Sequence, residues 1–165
     1  MAEFEILAEI SIGLIGFAGV VVALGRSALS RAAQRFHLVM LFANGAAAMW
    51  GSLSPTLAGL MLGLDSSYMV LACIMYLPTF IFVNIYAWRI ILRFYSVSEA
   101  TPTAWTYTSF LISVASLFYM SAAVIMYPSQ IAPSLYASIS LLLFMGLSHF
   151  FALVTAIPKE ARDAA

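Results

Sequence analysis

Charged residues make up only 8% of this 165-residue chain, seven basic and seven acidic, against roughly 25% in an average soluble domain. So few charges could not cover a water-soluble fold. The formal net charge is zero, and basic residues cluster nowhere more densely than in residues 26–35, which excludes the footprint of a nucleic-acid partner. Cysteine occurs once, at Cys73 within an apolar run. An internal disulfide is therefore ruled out, and the thiol is expected to pack as a small apolar group. Histidine occurs twice, at His37 and His149, and lysine once, at Lys159. Two histidines with no thiolate or carboxylate at the same depth are too few for a zinc site. His37 is expected at the inner end of its span, about 10 Å from the level of His149 by helix rise, so a bis-His haem is not expected either. A retinal Schiff base needs a lysine inside the membrane, whereas Lys159 belongs to the tail. The sequence also lacks paired carboxylates, a nucleophile beside a base and a phosphate-binding glycine loop. No cofactor and no enzymatic activity are expected.

Apolar residues are abundant, at 64%, and fall into five runs near residues 5–25, 36–63, 67–92, 104–127 and 132–157. Each is long enough to cross a hydrocarbon core of about 30 Å, which takes roughly 20 helical residues. Gly63-Leu64-Asp65-Ser66-Ser67 and Tyr127-Pro128-Ser129-Gln130-Ile131-Ala132-Pro133 carry turn signals between runs. Pro102 suits a first helical turn and Pro158 a stop, while Pro55 and Pro78 lie inside runs and should kink them. The expected fold is an all-α integral membrane protein, a single bundle of five transmembrane helices spanning residues 1–165. The acidic start, with Glu3 and Glu5, does not match the basic leader of a secretory signal.

All seven basic residues fall on one side of that topology: Arg26, Arg31 and Arg35 in the first connection, Arg89 and Arg93 at the end of the third run, Lys159 and Arg162 in the tail. Basic residues stay cytoplasmic, so the N-terminus is expected outside and the C-terminus inside a multi-pass inner (plasma) membrane protein. The lipid bilayer is the first expected partner. Arg26, Arg31 and Arg35 would contribute to anchoring on anionic headgroups, at about 1 kcal/mol each. Trp88, Tyr95 and Trp105 near the inner boundary, and Tyr68, Tyr127 and Tyr136 near the outer one, fit aromatic belts. Trp50, Tyr76, Tyr86 and Tyr119 lie deeper and are expected in the core, with the lining of a pocket as the alternative.

Two constellations could carry function. At about 100° per residue, Glu9, Gly13, Gly16, Gly19, Val20 and Ala23 share one face of span one, a ribbon that lets another helix approach closely, within the bundle or in a second copy. Glu9 on that face is an intramembrane acid, and with Gly13 and Gly16 it is a candidate lining for an ion path. Asn44, Asn84 and His149 each lie eight residues from the inner end of their runs, about 12 Å deep. They form a candidate polar layer or ligand pocket between spans two, three and five, with His149 as its titratable member. Ser109, Ser113 and Ser116 on span four and Ser134, Ser138 and Ser148 on span five offer hydroxyls for helix packing.

The expected function is a homo-oligomer, self-associating through span one, that provides a channel or transport path for an ion or small solute. The alternatives are an accessory subunit bound to other membrane proteins and a binder of an apolar ligand. The topology has a direct check. A fluorescent protein fused at the C-terminus is expected to fluoresce in bacterial cells and a periplasm-dependent phosphatase fused there to be inactive; the reverse pattern would overturn the orientation.

Overall fold

A computed structural model describes residues 2–24, 31–63, 67–98 and 104–154. Every long element among them is helical: α1 Ala2–Leu24, α2 Arg31–Leu62, α3 Tyr68–Ser98, α4 Ala104–Met126 and α5 Ile131–Val154, with a single 3-10 turn at Pro128–Gln130. Arg26, Pro102, Pro158, Lys159 and Arg162 lie outside the described residues. Three segments, Ala33–Leu62, Tyr68–Phe94 and Ile131–Val154, are long and apolar enough to cross a membrane, and Phe110–Met126 is a shorter apolar helix.

The helices follow the apolar runs with one systematic difference. α2 begins at residue 31 rather than 36, and α3 runs on to residue 98 rather than 92. Hydropathy marks where the chain is apolar, whereas helix formation continues through Arg31, Ala32, Ala33, Gln34 and Arg35, all favourable helix formers. α2 ends at Leu62, followed by Gly63 at φ 71°, the left-handed conformation that caps a helix and that glycine adopts without a Cβ clash.

α2 occupies the middle of the bundle, packed against α1, α3 and α5, while α4 flanks α5 and α3. Its buried face carries small residues, among them Ala47, Ala48, Gly51, Ser52 and Ala58. The neighbours press close at two glycines. A Cβ on Gly45 would lie 2.8 Å from Cγ1 of Ile15 in α1. One on Gly51 would lie 2.7 Å from the Tyr76 ring of α3 and 2.8 Å from Cγ1 of Ile139 in α5. Tyr76, Phe80, Leu135 and Ile139 belong to the core cluster and are fully buried, as are Met40 and Leu41 further along α2. Of the deep aromatics expected in the core, Tyr76 is there and Trp50 is half-buried, but Tyr86 and Tyr119 are each 42% exposed. Their depth along the helix axis was legible, and the face they occupy was not.

Both internal prolines lie within continuous helices. Pro55 has no N–H for the carbonyl of Gly51 four residues earlier. The hydroxyl of Ser54 donates to that carbonyl instead, at 2.8 Å. Trp50 of α2 donates its indole N–H to the carbonyl of Met75 on the facing α3, one turn before Pro78, at 3.2 Å.

The close approach at Gly51 predicts a sharp contrast. Gly51→Ala is expected to lower stability by about 1–3 kcal/mol through overpacking, read as earlier thermal unfolding in detergent, whereas Ile125→Ala on α4, at a side chain 79% exposed, should leave it nearly unchanged. Equal effects would remove the junction as the tight point of the core.

Candidate functional site

α2 and α5 pack side by side, and their ends bring the two histidines of the chain together. Nδ1 of His37 and Nδ1 of His149 are 2.9 Å apart, in a half-buried position. This corrects the expectation that the two rings lie about 10 Å apart in depth. The discrepancy comes from α2: it includes Arg31, so His37 lies at least six residues inside the helix, about 9 Å, rather than at its end. Phe36 sets its edge against both rings, with centroids 5.2 Å from His37 and 5.6 Å from His149. Phe94 of α3 stacks on Phe36 at 4.6 Å and 18°. Three helices therefore converge on the histidine pair. Among the described residues no third His, Cys, Asp or Glu joins it to make a metal-binding group.

The other members of the expected polar layer are arranged differently. Asn44 is buried and its Nδ2 donates to the carbonyl of Met40 at 2.8 Å, while Asn84 is half-buried and donates to the carbonyl of Phe80 at 2.8 Å. Each amide is thus satisfied by its own helix four residues back. Asn44 still faces α5, because a Cβ on Gly146 would come within 3.6 Å of the Asn44 Cβ. Asn44 and His149 therefore belong to the same α2–α5 seam, and Asn84 makes no hydrogen bond to either.

Serines on α4 and α5 hold that pair of helices together. Ser116 and Ser138 hydroxyls are 2.8 Å apart. Ser138 donates its only proton to the carbonyl of Ser134 at 2.8 Å, which makes Ser116 the donor between the helices. Ser113 donates to the sulfur of Met145 at 3.8 Å. Beside these contacts lies an open, mostly apolar groove of about 550 Å³ lined by Ile112, Ser116, Tyr119, Ala137, Ser140 and Phe144. A smaller one of about 190 Å³ lies between α1 and α5, bordered by Leu7, Ile10, Leu14, Leu143 and Leu147. Neither groove is lined by Asn44, Asn84 or His149.

On α1, Phe4, Leu7, Ala8 and Ser11 are buried, whereas Glu9, Gly13 and Gly16 are exposed. No heavy atom of another helix or side chain lies within 4 Å of the position a Cβ would take on Gly13, Gly16 or Gly19. Among the described residues, nothing packs on the glycine ribbon. At the other end of the bundle Arg35, Arg89 and Arg93 are exposed, and Arg31 heads α2. Acidic Glu3, Glu5 and Glu9 at one end and these arginines at the other give the described residues opposite charges at their two ends.

Sequence reasoning missed the histidine contact and the Tyr76 hydroxyl, which among the described residues is buried without a hydrogen-bond partner. The first was within reach, since counting helix residues instead of apolar ones brings His37 level with His149. Comparison with protein-family models, curated proteins and solved structures finds no match.

Proposed function

We propose that this chain is a five-span inner-membrane protein, N-terminus outside and C-terminus cytoplasmic, whose copies associate through the outward face of α1 and provide a path for a cation or other small solute between them. The membrane placement draws on three helices long and apolar enough to cross and on large apolar side chains that point outward all round the bundle, including Phe17, Leu60, Phe118 and Ile125 at 64–79% exposure. Such a surface suits hydrocarbon better than water. α1 and α4, with 23 residues each, reach about 34 Å at 1.5 Å per residue.

The observation that carries the functional reading is the open space over Gly13, Gly16 and Gly19, on the face that also presents Glu9. The interior of one copy is filled by Tyr76, Phe80, Met40, Leu41 and Ile139, which leaves the space between copies as the place for a path. Small residues permit helices to approach closely there, and a ring of Glu9 carboxylates at the outer mouth would favour cations. A second reading, a binder of an apolar ligand, is favoured by the α4–α5 groove with its Ser116, Ser140 and Tyr119 hydroxyls.

In a Cys73→Ala background, Gly16→Cys is expected to give disulfide-linked dimers on oxidation in native membranes, while Leu60→Cys, on an exposed face of α2, should not. Glu9→Gln is expected to lower cation flux into reconstituted liposomes several-fold. Unchanged flux would take Glu9 out of the path. Recovery only with other proteins, in native mass spectrometry, would make the chain an accessory subunit.

A further inference from the structure

The geometry at the α2–α5 seam points to a site for a shared proton. Two imidazole nitrogens 2.9 Å apart stand at N–H···N hydrogen-bond distance. The ring centroids are 5.2 Å apart, the separation expected when both nitrogens lie on the line between the centres, since each ring adds about 1.2 Å. A metal ion bridging the pair at about 2.0–2.1 Å from each nitrogen would need ring axes converging on it, and so centroids closer than that collinear value. The arrangement is that of a proton held on a straight line between two rings.

We propose that His37 and His149 form a proton-sharing latch that ties the start of α2 to α5, holds with no or one added proton, and opens when a second is taken up. In the neutral pair one ring donates from Nδ1–H and the other accepts at Nδ1, keeping its own proton on Nε2. A first added proton binds Nε2 of the donor ring, which becomes an imidazolium, and the bond becomes charge-assisted and stronger. A second proton has only the accepting Nδ1 to bind. Two N–H groups on two cations then face each other, and the bond is lost to like-charge repulsion. Phe36 touches both histidines and stacks on Phe94, so separation of the rings is transmitted to α3.

Among the described residues, the charged and titratable groups at this end give the second proton no counter-charge. α2 contributes Arg35, α3 contributes Arg89 and Arg93, and α4 contributes Tyr107, while the described part of α5 adds none beyond His149 and the acids of α1, Glu3, Glu5 and Glu9, sit in its first nine residues. Arginine stays protonated throughout. Its fixed charge acts in the same direction as the first added proton.

Because the chain has two histidines, nitrogen-15 histidine labelling of the full protein in lipid nanodiscs reports on this pair alone. Near pH 8 the expected result is one ring protonated at Nδ1 and the other at Nε2, with a through-hydrogen-bond coupling between the two Nδ1 atoms. As the pH falls to about 4, bracketing the ordinary histidine value of about 6.5, the coupling should survive the first proton and vanish with the second. Spin labels on Arg35→Cys and Val154→Cys, in a Cys73→Ala background, should then move apart. In the same labelled protein carrying His149→Gln, which keeps a hydrogen-bonding side chain, the distance should no longer respond to pH. Two rings in the same tautomer with no coupling at any pH, or an unchanged pH response in His149→Gln, would overturn the latch.

Discussion

A polar group buried among apolar side chains has to find its partner within the protein, and much of this bundle follows from how locally that is done. Ser11, Asn44, Ser52, Ser54, Asn84, Ser134, Ser138 and Ser148 each donate to a carbonyl three or four residues back on the same helix. The helix surfaces that meet are thereby left without unmet donors, and packing is free to depend on shape. Polar contacts between helices are few enough to mark particular joints: His37 with His149 for α2–α5, Trp50 with the Met75 carbonyl for α2–α3, Ser116 with Ser138 for α4–α5. The buried Tyr76 hydroxyl is the exception to the rule, and it sits where the packing is tightest.

Shape complementarity centres on α2. Its small residues admit side chains from three sides, with Ile15 over Gly45 and Tyr76 and Ile139 over Gly51. Dispersion contacts of this kind, individually small, are the main force available to helices whose outer surfaces are as apolar as their inner ones. α1 makes the complementary choice. It buries Phe4, Leu7, Ala8 and Ser11 and turns its glycines away from the other described helices, so among the described residues those best suited to close packing are left uncovered.

The presence of five long helices was legible from hydropathy, since each apolar run is long enough to form one. What hydropathy does not reveal is where a helix continues beyond its apolar part. Arg31 to Arg35 are polar yet helical, and that extension alone moves His37 from the end of α2 to the level of His149. Rotation about the helix axis was less legible still. Asn84, Tyr86 and Tyr119 stand at the depths expected of them, but a nearly uniform apolar composition gives no strong stripe to say which face turns inward. The glycines of α1 were recognisable as a shared face, while the sequence left open whether that face met a neighbour in the same chain.

The junction over Gly51 has a consequence for how the bundle assembles. Tyr76 and Ile139 approach the same glycine from two different helices, so neither α3 nor α5 alone closes that surface of α2. Docking of either one leaves a gap that only the other can fill. Assembly of α2, α3 and α5 is then a three-body event, cooperative in the sense that the second docking contributes more than the first.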